Sequence, residues 1–267
     1  MLHLSALSII AIIATATSAL AETVAFEVPY KGRMIKIEGQ LRKPPGKDGP
    51  FPVVIGLHAC DGPGNVSTNL WLTTLLAQGY ATYLPESFEP RGYGDICANI
   101  MNVSVADRAQ DALVAAATLA ARPDIRADKI AILGVSHGAS GAVRISREDP
   151  STATLRQKLA DAGGKIVAIV AFYGGCVPDP KRPVIVPLLI LIGEKDDWAT
   201  LKPCQEFATE GANPKLVQIR VYPNATHSFD NPTFIPTTNN GRMMVFDGEA
   251  TNDARSRLIE FLRPLMQ

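Results

Sequence analysis

The order of apolar and polar positions divides the chain into short apolar runs separated by helix-compatible stretches. Residues 22–44 alternate loosely, with Val24, Phe26 and Val28 before Lys31-Gly32 and Ile35, Ile37 and Leu41 after it. Alternation on both sides of a turn signal predicts an antiparallel hairpin at a sheet edge. A turn-rich link follows, Lys43-Pro44-Pro45-Gly46-Lys47-Asp48-Gly49-Pro50. Beyond it the runs are continuous: 51–57 (FPVVIGL), 80–84, 129–135, 165–173 (KIVAIVAFY), 186–192 (VPLLILI) and 215–222 (KLVQIRVY). Helical patterns fall between and after them, over 67–78, 105–121, 136–147, 151–162, 201–211 and 250–266. Ser67 or Thr68 stands near the cap of the first. The last is amphipathic, with Ala254, Leu258, Phe261, Leu262 and Leu265 on one face.

Continuous apolar strands alternating with helices predict an α/β fold. The sheet is expected to be mostly parallel and doubly wound, of about eight strands, with helices on both faces. Chemistry in such sheets collects at the carboxyl ends of the strands. No internal repeat or domain-scale linker interrupts residues 22–267, so a single domain is expected. Residues 86–104 form a long loop without a clear period, a length often tied to function.

The first 21 residues stand apart. Residues 4–21 carry no charge, are rich in Ile, Leu and Ala, and end Ser18-Ala19-Leu20-Ala21 before Glu22. This is the pattern of a cleavable signal peptide over 1–21, and it implies a periplasmic or secreted protein. An uncleaved membrane anchor is the alternative, because the run is nearly long enough to span a bilayer. The charges cancel, with 26 basic and 26 acidic residues and no basic cluster. That argues against nucleic acid or an anionic membrane surface as the main partner and leaves a small, weakly charged substrate as the default. Cys60, Cys97, Cys176 and Cys204 show no metal-ligand spacing, and there is no nucleotide-binding loop, so neither a metal nor an organic cofactor is expected. In an exported chain the topology favours Cys60–Cys97 and Cys176–Cys204 disulfides, since each pair falls on loops at one end of adjacent strands. Four buried thiols are the alternative.

The candidate chemistry begins at Lys129–Ala142, KIAILGVSHGASGA. An apolar strand runs into Gly134-Val135-Ser136-His137-Gly138, and small residues follow. A G-x-S-x-G between strand and helix is a nucleophile elbow, a turn too tight for side chains two residues either side of the serine. Ser136 is then exposed at the tip, and the His137 N–H faces the position where an oxyanion would form. Ser136 needs a base. Of the four histidines, His3 lies in the leader, the His137 ring should point away from the Ser136 hydroxyl, and His58 follows strand 51–57. Only His227, beyond the last strand, satisfies the order serine, acid, histidine. The acid is sought in Gly193-Glu194-Lys195-Asp196-Asp197-Trp198. Asp196 at the loop apex is preferred, with Asp197 second and Glu194 structural. A second oxyanion donor is expected from the backbone of Cys60 or Ala59.

Five stretches carry a family resemblance: Leu57–Gly62 (LHACDG), Glu86–Gly92 (ESFEPRG), Gly134–Gly138, Gly193–Trp198 and Tyr222–Asp230. The chain resembles the dienelactone hydrolase family of α/β-hydrolases over about residues 30–265. The resemblance implies an α/β-hydrolase fold, a Ser136, Asp196 and His227 triad, and hydrolysis of a small ester or lactone. Where the founding enzymes use cysteine in the elbow, this chain has Ser136, and where they carry a glutamate after the third strand it has Ala59. A serine nucleophile suits ordinary esters. Arg91 resembles an arginine that binds the substrate carboxylate in the family; pinning the 86–104 loop through Asp95 or Glu89 is its other expected role. Trp198 and Phe229, on triad-bearing loops, are expected to line the pocket. The leading expectation is a carboxylesterase. A peptidase or amidase of the same fold, or a non-catalytic binding homologue, are the alternatives.

Overall fold

The computed structural model describes residues 21–210, 213–239 and 241–267. The expected signal peptide lies outside them except for Ala21, which begins the first strand. Strands β1 (Ala21–Tyr30) and β2 (Arg33–Arg42) form the antiparallel hairpin, turning at Lys31-Gly32. Then follow β3 (Phe51–Leu57), α1 (Val66–Ala77), β4 (Ala81–Pro85), α2 (Val105–Ala120), β5 (Ile125–Val135), α3 (His137–Ile145) and α4 (Ala153–Asp161). The chain continues through β6 (Ile166–Phe172), β7 (Leu188–Gly193), α5 (Leu201–Glu210), β8 (Val217–Tyr222), β9 (Thr237–Asn239), β10 (Arg242–Met244) and α6 (Gly248–Met266).

The main sheet has eight strands in the order β1-β2-β4-β3-β5-β6-β7-β8. β1, β2 and β4 pair antiparallel, and β4 through β8 pair parallel. Burial follows position in the sheet. β3, β6 and β7 are buried at nearly every residue, whereas β2 and β8 alternate. A central parallel strand is covered on both faces and the strands toward the sheet's margins are not, which is why the first reads as a continuous apolar run. The two faces are seen at the end of β3. A Cβ on Gly56 would lie 2.7 Å from a Leu72 methyl of α1, while a Leu57 methyl lies 3.6 Å from the Cβ position of Gly141 in α3. Successive strand residues point to opposite faces, so α1 and α3 cover opposite sides of the sheet.

One local expectation is corrected. α1 starts earlier than residue 67, because Asn65 is its cap: the Asn65 side chain accepts from the Thr68 N–H and hydroxyl, both at 2.8 Å. Ser67 and Thr68 are buried within the first turn. The 86–104 loop is ordered by tertiary anchors. Two short 3-10 turns, Glu89–Arg91 and Ile100–Asn102, punctuate it, and Phe88, Ile96 and Val103 form a small apolar cluster beneath it. The Cys60–Cys97 disulfide ties it to the loop after β3, and Cys176–Cys204 joins the loop after β6 to α5. Both pairings are the ones favoured from the sequence. The β9–β10 hairpin was not anticipated, although Asn239-Asn240-Gly241 carries a hairpin-turn signal.

Candidate active site

Ser136 occupies the turn between β5 and α3 at φ 51° and ψ −116°, a conformation non-glycine residues rarely adopt. Sterics explain the flanking glycines. A Cβ on Gly134 would stand 2.4 Å from the Gly138 carbonyl oxygen, and one on Gly138 would stand 2.0 Å from the Leu57 carbonyl oxygen. The elbow is thus wedged against the end of β3. The strained turn is held from β6, where the Phe172 carbonyl accepts from the Ser136 N–H at 2.9 Å.

The Ser136 Oγ lies 2.9 Å from His227 Nε2, and His227 Nδ1 lies 2.8 Å from Asp196 Oδ2. Asp196 and His227 are both buried. The second Asp196 oxygen accepts from the Trp198 and Ala199 N–H groups, each at 2.8 Å, so the carboxylate is fixed by its own loop. Asp197 is exposed and has no such partner role. The loops bearing Asp196 and His227 touch through their backbones. The Lys195 N–H donates to the Ala225 carbonyl at 3.1 Å, and that carbonyl occupies the space a side chain at Gly193 would need. With the carboxylate on one ring nitrogen, Nδ1 carries the proton and Nε2 is left to accept from the serine.

The remaining predicted residues divide. Trp198 lies nearly parallel to the imidazole of His227, with centroids 5.7 Å apart, and the Arg242 guanidinium lies over the Trp198 ring at 4.7 Å. Phe229 is a correction. It is fully buried, packed between Tyr173 and Tyr222, and belongs to the core rather than to a pocket wall. Arg91 is a second correction. Its side chain is wholly buried and makes a two-pronged ion pair with Asp111 of α2, at 2.9 and 2.8 Å, plus a bond to the Ser87 carbonyl. A guanidinium so enclosed cannot meet a substrate. It does pin the 86–104 loop, but through a carboxylate on α2 and not through Asp95 or Glu89.

Three residues near the site, Asp230, Tyr173 and Arg108, are not singled out by the sequence, and His58 figures there only as a histidine set aside as the base. Asp230, fully buried, accepts from Ser67 at 2.8 Å, from Tyr173 at 2.7 Å and from the Trp71 indole. Burial raises its carboxyl above the usual range, and the three donors partly offset this. Tyr173 packs edge-on against His227, centroids 4.8 Å apart, so this cluster backs the imidazole. Arg108 and His58 are both fully buried beneath the loop after β3. Burial, and then the Arg108 charge, hold His58 well below the ordinary histidine range and His137 at about 4. Both rings are neutral at pH 7. The His137 ring lies beside Phe88, centroids 6.2 Å apart, and the Ser136 hydroxyl pairs with His227 instead.

The dienelactone hydrolase family model matches residues 37–266. The chain belongs to the dienelactone hydrolase family. It is a hydrolase-family chain with the eight-stranded α/β-hydrolase sheet. No curated protein matches it in sequence. Among solved structures, a dienelactone hydrolase-like promiscuous phosphotriesterase from metagenomic libraries is 21% identical at TM-score 0.67, covering 94% of this chain and 100% of that one. A dienelactone hydrolase from Anabaena variabilis is 19% identical at TM-score 0.62, covering 92% and 99%. An esterase from Pyrococcus furiosus is 18% identical at TM-score 0.63, covering 92% and 94%. At these identities the likeness speaks to the fold, and the chemistry must be argued from the residues.

Proposed function

We propose that this family member is a serine carboxylesterase acting through an acyl-enzyme. The observation that carries the reading is the continuous relay from Ser136 through His227 to Asp196. His227 Nε2 takes the serine proton as Oγ attacks the ester carbonyl. Asp196 holds the tautomer and offsets the imidazolium charge that forms. The tetrahedral oxyanion is stabilised by the N–H groups of His137, the first residue of α3, and of Cys60. His227 then delivers its proton to the leaving alcohol and activates the water that releases the acid.

Trp198, stacked on the imidazole, is assigned to the pocket wall. A cleft of about 380 Å3 lies one helical turn from Ser136, lined by Ser140, Val143 and Cys176 and by the charged side chains of Arg144, Arg147 and Asp179 among others, with no triad residue in its wall. The two disulfides fit an exported protein, in keeping with the leader expected at residues 1–21. The test is turnover of short-chain nitrophenyl esters by the mature protein. Ser136→Ala is expected to lower kcat/KM by roughly four orders of magnitude, and Asp196→Asn by at least a hundredfold while Asp197→Asn changes little. Hydrolysis that survives Ser136→Ala would defeat the reading.

A further inference from the structure

In the loop after β3, residues 58–60, all three carbonyls are held by donors. The His58 carbonyl accepts from Arg108 Nη2 at 2.8 Å. The Ala59 carbonyl is met by the His58 ring, Nδ1 at 2.9 Å, and by the Gly62 N–H at 3.3 Å. The Cys60 carbonyl accepts from the Ile96 N–H at 2.9 Å, and its sulfur is bonded to Cys97. Among the described residues, no group accepts from the Cys60 N–H.

The tautomer of His58 follows from its neighbours. Arg108 Nη1 lies 3.1 Å from His58 Nε2 and the Ser87 N–H lies 3.3 Å from it. Both are obligate donors, so Nε2 is the acceptor and the proton is on Nδ1, where the Ala59 carbonyl receives it. A guanidinium therefore holds the ring, and the ring holds one peptide oxygen. That oxygen belongs to the peptide joining Ala59 to Cys60. In a planar trans peptide the C=O and the N–H point in opposite directions. Fixing the Ala59 oxygen toward the protein interior aims the Cys60 N–H away from the His58 ring.

We infer that Arg108 and His58 are positioning residues that aim the Cys60 N–H into the oxyanion site. The inference rests on the esterase reading and adds to it a relay from α2: Arg108, His58 ring, Ala59 carbonyl, Cys60 N–H. Neither side chain touches substrate. The relay acts on the transition state because the donor it orients is needed most when negative charge appears on the carbonyl oxygen. It also accounts for a buried histidine and a buried arginine that the triad does not use. Phe88 packs edge-on against the His58 ring at 4.4 Å and lies under the Arg108 guanidinium at 4.9 Å, closing both off from water.

The experiment compares His58→Leu, His58→Asn and Arg108→Lys with the wild type. The readouts are kcat and KM on a nitrophenyl ester, inhibition by a trifluoromethyl ketone, and thermal unfolding as a folding control. His58→Leu removes the donor and is expected to lower kcat by about a hundredfold with KM within about twofold, and to weaken ketone inhibition in proportion. His58→Asn keeps a donor near the Nδ1 position and is expected to recover at least about tenfold of that loss. Arg108→Lys keeps the charge but cannot reach both His58 atoms, and about a tenfold loss in kcat is expected. A folded His58→Leu with kcat within threefold of wild type, or a loss carried by KM alone, would overturn the inference. So would a folded His58→Asn no better than His58→Leu. If His58→Leu does not fold, Arg108→Lys decides: unchanged kcat overturns the inference. Failure of the esterase reading is distinguishable, because it shows as absence of turnover in the wild type itself and removes the inference with it.

Discussion

The β3 side and the β8 side of the elbow each rest on a buried carboxylate, and the two are held by different physics. On the β3 side, Asp111 receives both prongs of the Arg91 guanidinium, and the 86–104 loop is anchored to α2 by charge. On the β8 side, Asp230 receives three neutral donors, Ser67, Trp71 and Tyr173, and no cation reaches it among the described residues. Burial raises both carboxyls. The β3 side also encloses Arg108 and two neutral histidines, whereas the one buried histidine opposite is His227 itself. The charged anchor sits under the proposed oxyanion donors, which are meant to stay fixed. The neutral one backs the imidazole that moves protons. Charge pairing is costly to bury and more costly to break, so the two sides should fail differently.

The largest difference is expected from truncating the two carboxylates. Asp111→Ala strands a buried guanidinium and should destabilise the fold by about 3–5 kcal/mol in urea unfolding. Asp230→Ala strands only neutral donors and should cost less, about 1–3 kcal/mol. Equal losses would erase the distinction. Acid sensitivity sharpens it further. His137 is held at about 4 in the folded protein against about 6.5 when unfolded. Between those values the unfolded chain binds the extra proton, so the contribution is complete above about pH 6.5 and is lost as pH falls toward 4. The loss amounts to about 3 kcal/mol at pH 4. His137→Phe should flatten this part of the stability profile; a slope unchanged by the substitution would place the acid-sensitive group elsewhere. A smaller effect is expected from reducing the network by one bond. Tyr173→Phe, which leaves Asp230 two donors, should cost about 1 kcal/mol.

Much of this arrangement was legible in the sequence, and the reasons are local. Gly134 and Gly138 mark a turn whose sterics admit nothing larger, so Ser136 could be placed from its neighbours alone. His227 and Asp196 follow strands with clear apolar runs, and chain order did the rest. Phe229 sits on the expected loop but turns into the core, and Arg91 pins its loop, one of its two expected roles, through a different carboxylate. Whether a loop side chain turns outward or inward depends on what waits beneath it, and Asp111 and Tyr173 come from elements far along the chain. A signal for the buried charges was present. Arg108 and Asp111 interrupt the apolar face of α2 among Ala109, Ala112, Leu113 and Ala116, where a polar residue needs a partner. The 86–104 loop hid its order because that order comes from a disulfide and a small satellite cluster, neither of which imposes a period.

On the proposed mechanism, Ser136 is a nucleophile made reactive by His227. Peptide mapping by mass spectrometry after brief exposure to an alkyl fluorophosphonate tests it most directly. One adduct is predicted, on Ser136, formed rapidly in the wild type and at least a hundredfold more slowly in His227→Ala. A natively folded protein that stays unlabelled at Ser136, or labels there equally fast without the imidazole, would contradict the account.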